Sequence, residues 1–227
     1  MSRKQPIVTI DGPSGVGKST ISRRVAADLS FTYLDTGAMY RAVALHLQQK
    51  QVDDQNEEAL TTALDDISLQ LLPAVTDNDD VGVILNGCEV SRDIRSTEMS
   101  MLASRVSALS PVRSKLTAMQ QEMGKKGNIV AEGRDTGTIV FPDARWKFYL
   151  DAAPEVRMSR RAAQLRNKGE TVDEDELLAM IIKRDHDDQS RTIAPLCRAE
   201  DALLVDTGRL SIDEVVQLLL RQIRDAG

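Results

Sequence analysis

The sequence is poor in aromatic side chains and has no excess of basic charge, and both shortages restrict what the chain could bind. Aromatic residues make up 3% of its 227 residues, and its formal net charge is −6. We therefore do not expect aromatic stacking to dominate ligand binding. A polymeric nucleic acid is not expected as a partner either, because proteins that bind nucleic acids present a broad basic surface. A nucleotide needs only a local cationic pocket.

Cysteines and long apolar runs are also scarce. Cys88 and Cys197 fit no spacing of a metal or redox motif, so they are predicted to be free thiols in a reducing compartment. No apolar run approaches the ~18 residues of a membrane span. The N-terminal apolar stretch ends at Asp11 and is too short for a signal peptide. These features predict a cytoplasmic protein with no membrane partner, and we expect it to be a monomer.

The remaining pattern alternates strands with helices. Apolar runs predict strands at residues 7–10, 31–35, 128–133, 146–151 and 202–206. Apolar positions at helical spacing predict helices at residues 18–29, 37–49, 154–167, 174–189 and 211–224. This alternation indicates an α/β fold in which about five parallel strands are flanked by helices.

Residues 51–127 interrupt the alternation. The Asn86-Gly87 pair lies between apolar segments in "VGVILNGCEV" and predicts a β-hairpin. Two helices are predicted near residues 97–109 and 112–123. We expect a small inserted α+β region between two parts of a core, residues 1–50 and 128–227. Periodicity alone is equally compatible with an insertion that has no function.

A glycine-rich segment follows the first predicted strand. The residues "GPSGVGKST" fit the phosphate-loop pattern G-x-x-x-x-G-K-[ST] between a strand and a helix. Such a loop directs backbone N–H groups at a phosphate, and its lysine reaches the outer phosphates. ATP is therefore expected to contact Gly12, Pro13, Ser14, Gly15, Val16, Gly17, Lys18, Ser19 and Thr20. The Ser19 hydroxyl is the candidate ligand for Mg²⁺.

Several classes of protein use this loop. A GTPase would carry Asn-Lys-x-Asp after a strand, whereas residues 167–170 of this chain read "NKGE" and follow an arginine-rich helix. We interpret that segment as a helix C-terminus capped by Gly169. A kinase for a small metabolite and a regulatory ATP-binding module remain as alternatives.

A second candidate phosphate site lies at "LDTGAMYR", residues 34–41. Asp35 closes the second predicted strand, and Thr36 opens a helix that carries Arg41 one turn later. Ligands of open parallel sheets bind beyond the strand ends. A hydroxyl, a helix N-terminus and an arginine suit the phosphate of a nucleoside monophosphate. An ordinary capped helix with an exposed arginine would show the same residues.

Together with the phosphate loop, three segments resemble bacterial cytidylate kinases, a family of nucleoside monophosphate kinases. They are "DTGAMYR", "AEGRDTGTIVFPDA" (residues 131–144) and "KRDHDDQSRTIAPL" (residues 183–196). The resemblance runs from about residue 8 to residue 206, although relatives often have glycine where this chain has Ser19. It implies that ATP, with Mg²⁺, phosphorylates CMP and also dCMP.

The resemblance also implies roles for individual residues. Charge neutralisation during phosphoryl transfer would fall to Lys18, Arg41, Arg134 and Arg191. Arg157, Arg160 and Arg161, which share one helix face, would bind ATP from a lid at about residues 154–170. CMP would contact Thr36, Arg41, Ser104, Arg113, Arg134, Asp135, Arg184, Asp188 and Arg191. A solvated charged face is the alternative for either arginine-rich helix.

The base contacts follow the chemistry of cytosine, which offers an amino donor beside ring and carbonyl acceptors. By the resemblance, Asp135 would accept from the amino group, while Arg113 and Ser104 would donate to the acceptors. The inserted residues 51–127 would then form the monophosphate-binding region. A kinase for another monophosphate such as UMP and a regulator without phosphotransfer remain the alternative functions. The sequence leaves open whether Glu132 helps to hold Mg²⁺.

Overall fold

The computed structural model describes residues 6–73, 80–167 and 169–225. Residues 1–5, on which part of the signal-peptide interpretation depends, lie outside the described residues. So do residues 74–79 of the inserted region and Lys168 of the "NKGE" segment. The chain forms two compact units, one from Met1–Thr32 with Asn128–Gly227 and one from Tyr33–Gly127. We call them the core unit and the second unit.

The predicted strands and helices occur along the chain in the expected order. The strands are β1 (Ile7–Asp11), β2 (Thr32–Asp35), β3 (Leu69–Leu72), β4 (Gly82–Leu85), β5 (Cys88–Glu89), β6 (Ile129–Gly133), β7 (Trp146–Asp151) and β8 (Leu203–Asp206). The helices are α1 (Lys18–Leu29), α2 (Thr36–Gln49), α3 (Glu57–Asp65), α4 (Thr97–Val106), α5 (Ser110–Gly124), α6 (Pro154–Asn167), α7 (Glu174–Gln189) and α8 (Ile212–Asp225). A 3₁₀ turn spans Asp93–Arg95, and a π-helical turn spans Thr136–Val140.

The larger sheet has five strands in the order β2-β6-β1-β7-β8. β1 pairs in parallel with β6 and with β7, and β7 pairs in parallel with β8. Every residue of β1 is buried, as expected for a continuous apolar strand in a sheet that is covered on both faces. The predicted α/β fold is confirmed. Because the strands are parallel, the residues that follow β1, β6 and β7 emerge at the same edge.

Helix α8 shows how the helices of the core unit acquire a buried face. Its buried side chains recur at one-turn spacing and form a stripe of Val215, Val216, Leu219, Leu220 and Ile223. Ser211 precedes the helix, and its N–H and hydroxyl both donate to Glu214, at 2.8 Å each. Glu214 N–H donates back to the Ser211 hydroxyl at 3.3 Å. With this reciprocal cap the helix begins at Ile212, one residue after the predicted start.

The second unit contains an antiparallel sheet in the order β3-β4-β5. Leu85 lies opposite Cys88, so Asn86 and Gly87 alone connect β4 to β5. Both residues have positive φ, 50° and 83°, as a two-residue hairpin turn requires. The predicted hairpin is confirmed.

The second unit begins at Tyr33, whereas the sequence predicted an insertion that begins at residue 51. The difference lies in α2, which packs against α4, α5 and β4 of this unit. His46, buried in α2, accounts for part of this packing. Its Nε2 lies 2.9 Å from the Ala63 carbonyl of α3, and its Nδ1 lies 3.2 Å from the Asn86 amide nitrogen in the hairpin.

Helix α3 is absent from the sequence-based assignment because its nine residues give too few turns for a clear helical period.

Among the described residues, none of the helices is both long enough and apolar enough to cross a bilayer.

Candidate functional site

The phosphate loop connects β1 to α1 through a backbone that favours glycine. Gly12, Gly15 and Gly17 have φ values of 148°, 84° and 90°. Helix α1 then begins at Lys18, and no side chain of the described residues caps its first N–H groups. A helix N-terminus with free N–H groups is a ready site for an anion. The predicted loop and its helix therefore have the geometry of a phosphate cradle.

Gly12 also has no room for a side chain. A Cβ built at this position would lie 2.1 Å from the Leu150 carbonyl oxygen of β7. We expect Gly12→Ala to destabilise the protein strongly, because either the loop or β7 must move. Thermal unfolding measures the effect. Gly169→Ala is the matched control, since Gly169 also has positive φ but meets nothing within 4 Å. An equal decrease in Tm for both variants would contradict the steric explanation.

Lys18 is buried at 5% exposure, and its ammonium group donates to the Pro13 carbonyl at 2.6 Å. Burial lowers the pKa of Lys18 well below its usual value, and the nearby Arg134 and Arg184 lower it further. The carboxylates of Glu132 and Asp11 act in the opposite direction. A buried cation among other cations is stabilised when an anion binds, because the anion reduces their mutual repulsion.

Ser19 and Glu132 place two side-chain oxygen atoms, both of a type that binds cations, near Lys18. The Ser19 hydroxyl donates to Glu132 Oε1 at 2.9 Å. Among the described residues, no group of three or more His, Cys, Asp or Glu side chains is arranged to hold a metal ion. Mg²⁺ prefers oxygen ligands and usually keeps several waters beside one or two protein groups and substrate phosphates. The Ser19 and Glu132 oxygens fit that kind of partial coordination.

Asp188 on α7 lies between two arginines and is 1% exposed. Arg134 Nε donates to Asp188 Oδ2 at 2.9 Å, and Arg191 pairs with Asp188 Oδ1. Burial alone would raise the pKa of Asp188, but Arg134, Arg191 and Arg184 outweigh it and hold the pKa below its usual range. The structure thus brings Arg134 close to Arg184, Asp188 and Arg191, three predicted site residues that lie fifty or more positions later in the sequence.

Asp11, the last residue of β1, was not predicted as a site residue. It is 5% exposed, and its carboxylate accepts three hydrogen bonds. Thr136 donates to Oδ1 from its backbone N–H at 2.9 Å and from its hydroxyl at 2.8 Å, and Gly137 N–H donates to Oδ2 at 2.7 Å. Burial raises the pKa of Asp11 to about 6, with the nearby Asp135 adding to the increase while the hydrogen bonds oppose it.

The three predicted lid arginines have different surroundings. Arg157 is 2% exposed and donates to the Ser14 carbonyl in the phosphate loop at 3.1 Å and to both oxygens of Asp185, at 3.0 and 2.5 Å. Arg160 donates to the Thr207 carbonyl at 2.6 Å. Arg161 is partly exposed beside Gln164. Arg157 therefore supports the phosphate loop from within the protein, and direct contacts of the three arginines with ATP stay predictions.

In the second unit, Asp35 organises the predicted acceptor segment. Its Oδ1 accepts from Ala38 N–H at 2.8 Å and caps α2, whose first residue is the buried Thr36. Its Oδ2 lies 3.4 Å from Arg41 Nη2 and 3.6 Å from Arg95 Nη1. Asp35 thus caps the helix that begins with Thr36 and pairs with Arg41, while the binding of a phosphate by these two residues stays a prediction.

Ser104 and Arg113, both in the second unit, share Ser107 as a hydrogen-bond partner. The Arg113 guanidinium donates to the Ser107 carbonyl at 3.3 Å, and the Ser107 hydroxyl donates to the Ser104 carbonyl at 2.7 Å. Arg113 also donates to the Tyr40 hydroxyl at 3.1 Å. The buried Arg113 is therefore held in one orientation, although its predicted contact with a base stays a prediction.

Three supporting residues, Asp11, Asp185 and Arg95, were missed because each acts through partners far away in the sequence. Asp11 directly precedes the loop motif, and Asp185 directly follows Arg184 in the segment that resembles the family. For Asp11 and Asp185, the only signal in the sequence is their position next to a predicted site residue or motif. For Arg95 the sequence offers no comparable signal.

Comparison with known proteins adds an independent observation. A family model described as cytidylate kinase matches residues 8–225. The cytidylate kinase of Vibrio vulnificus (strain YJ016) is 45% identical over 223 residues, which are 98% of this chain and 97% of that protein. The bifunctional pantoate ligase/cytidylate kinase of Prochlorococcus marinus is also 45% identical over 99% of this chain, which spans only 43% of that longer relative.

Among solved structures, an uncharacterized protein from Eubacterium ventriosum matches with a TM-score of 0.52 at 12% identity. The match covers 98% of this chain and 99% of that one. At this level of identity the likeness supports the fold alone.

Proposed function

The chain belongs to the cytidylate kinase family, and we therefore propose that it transfers a phosphoryl group from ATP to CMP, forming ADP and CDP. The observation that carries the proposal is the match of the family model to residues 8–225. dCMP is proposed as a second acceptor. The monomeric state and the cytoplasmic location stay predictions.

The core unit contains the chemistry that such a transfer requires. Phosphoryl transfer between two polyanions depends mainly on positioning and on neutralising the charge that develops between them. We infer that Lys18 neutralises the phosphates of ATP from the phosphate loop. Arg134 and Arg191, oriented by Asp188, supply further positive charge. Lys18 is buried and the two arginines are half-buried, so water screens their charges less than at the surface, and each interaction with a phosphate is correspondingly stronger.

Ser19 and Glu132 would hold Mg²⁺, which would neutralise charge on the ATP phosphates. The hydroxyl of Ser19 would be a direct ligand, and Glu132, which already accepts from that hydroxyl, would orient it or a bound water.

Assignments in the second unit rest on the family resemblance and on the local geometry. Thr36, at the start of the helix that Asp35 caps, and Arg41, which pairs with Asp35, are proposed to bind the acceptor phosphate. Ser104 and Arg113 are proposed to read the cytosine base. In the core unit, Asp135 is proposed to accept from the cytosine amino group, and Arg184 and Asp188 to contact the ribose.

Asp135→Ala provides a test of the proposed base contact. Loss of the carboxylate leaves the cytosine amino donor without its partner, which lowers kcat/KM for CMP by about tenfold to a hundredfold. UMP carries a carbonyl at that position, so kcat/KM for UMP decreases much less. We therefore expect a narrower CMP/UMP preference, measured from kcat/KM for both acceptors. Equal losses for both would mean that Asp135 only shapes its loop.

The proposed function itself is tested by a coupled assay of ADP release with a panel of acceptors: CMP, dCMP, UMP, AMP and GMP. We expect the highest kcat/KM with CMP and substantial turnover with dCMP. Highest activity with UMP would identify a kinase for another monophosphate. Absence of turnover with every acceptor, in a protein that still binds ATP, would identify a nucleotide-binding regulator.

A further inference from the structure

The segment that carries Arg134 and Asp135 continues into an unusual turn. Residues Thr136–Val140 form a single π-helical turn, in which Ile139 N–H and Val140 N–H both donate to the Asp135 carbonyl, at 2.9 and 3.2 Å. π-helical turns are rare and occur frequently at functional sites. The backbone of Asp135 is therefore fixed by the turn that follows it.

Asp11 holds this π-helical turn in place. The Oδ1 atom of Asp11 accepts two hydrogen bonds from Thr136, and its Oδ2 atom accepts one from Gly137 N–H, all between 2.7 and 2.9 Å. The carboxylate is buried at 5% exposure, so its hydrogen-bonding capacity is directed at the polypeptide and not at a ligand. Hydrogen bonds to a charged acceptor are stronger than neutral ones and fix geometry more firmly.

There is no free space for a side chain at Gly137, where the turn contacts β1. A Cβ built at Gly137 would lie 2.8 Å from Thr9 Oγ1 and 3.3 Å from Asp11 Oδ2. The turn therefore lies directly against β1, and a small displacement of Asp11 or of the turn would be transmitted to Asp135 and Arg134.

We propose that Asp11 is a positioning residue for acceptor recognition: by holding the Thr136–Val140 turn against β1, it sets the place of Asp135 and thereby the preference for CMP over UMP. The proposal rests on the proposed function, in which Asp135 reads the base. Asp11 also precedes Gly12 of the phosphate loop, so an effect on ATP binding is the competing explanation.

Asp11→Asn separates these explanations. The amide keeps the size of the side chain, but its NH₂ group cannot accept the hydrogen bond from Gly137 N–H, and a buried donor loses its partner. We expect kcat/KM for CMP to fall by about tenfold, with a smaller loss for UMP, so that the CMP/UMP ratio narrows. KM for CMP rises, while KM for ATP stays close to the wild-type value.

Thr136→Val is the second variant, because it removes only the hydroxyl bond to Asp11 and retains the backbone bond. We expect the same narrowing of the CMP/UMP ratio, to a smaller extent. It keeps the proposal testable if Asp11→Asn does not fold. Asp201→Asn is the control, since it removes another carboxylate of the core unit, one that accepts from Lys147 at 2.9 Å. Its CMP/UMP ratio should equal that of the wild type.

A lower Tm with an unchanged CMP/UMP ratio in both variants would overturn the proposal and leave Asp11 a purely structural residue. A rise in KM for ATP without one for CMP would also overturn it and assign Asp11 to the phosphate loop. Failure of the proposed function is distinguishable, because the wild-type protein would then lack CMP-dependent turnover before any substitution is made.

Discussion

Lys18→Ala should lower kcat by about a hundredfold to a thousandfold or more, while the protein remains folded. The Lys18 ammonium is buried and donates to the Pro13 carbonyl of its own loop. The group is thus already inside the cradle that would receive the phosphates. Because phosphoryl transfer requires charge neutralisation and no covalent intermediate, the loss should appear mainly in kcat.

Lys183→Ala is the matched control for this measurement. Lys183 also lies in the core unit, but its side chain is 77% exposed and pairs with Asp187 at the surface. Its kcat should match that of the wild type, since exposed ion pairs contribute little. Circular dichroism and thermal unfolding establish that both variants are folded. Substantial kcat in a well-folded Lys18→Ala protein would contradict the role assigned to the lysine.

The second large effect is expected for Asp188→Asn. The substitution keeps the shape of the side chain but removes the charge that holds Arg134 and Arg191. A buried ion pair that loses one partner destabilises a protein by about 3–5 kcal/mol, because the remaining charge is uncompensated. Both arginines also lose their orientation, and misplacement by about 1 Å can lower activity by about a hundredfold. We expect lower Tm together with a loss of that size in kcat/KM for CMP.

Asp187→Asn serves as the control on the same helix. It removes a carboxylate one position away whose side chain is half exposed and pairs only with an exposed lysine among the contacts described for it. Neither Tm nor kcat/KM for CMP should change appreciably. If Asp188→Asn behaves like Asp187→Asn, the buried pairs with Arg134 and Arg191 do not organise the site.

Much of the fold could be predicted because local signals agree with the tertiary structure. The predicted helices at residues 18–29, 154–167 and 174–189 match α1, α6 and α7 residue for residue, and the predicted strand at 146–151 matches β7. Each of these signals depends on residues that are close together in the sequence: the phosphate-loop motif, the apolar periodicity and the Asn86-Gly87 pair. Such signals are visible without knowledge of the partners.

What could not be predicted depends on contacts between distant residues. The turn at Thr136–Val140 is held by Asp11, 125 residues before Thr136, and nothing local to the turn indicates a π-helix. Arg157 follows the helical spacing of an exposed lid face, yet Asp185 and the Ser14 carbonyl hold it inside the core unit. Spacing identifies which residues share a helix face, but the packing of that face decides whether they meet a ligand.

Identification of the products shows whether this chain joins the phosphoryl group of ATP to CMP. Purified protein is incubated with ATP, Mg²⁺ and CMP, and ³¹P NMR follows the nucleotides as they form. We predict that CDP and ADP appear in equal amounts, that neither appears without protein, and that inorganic phosphate does not accumulate. ADP formation accompanied by inorganic phosphate and no CDP would mean that ATP is hydrolysed without transfer to CMP, and no turnover at all would mean that the chain does not phosphorylate CMP.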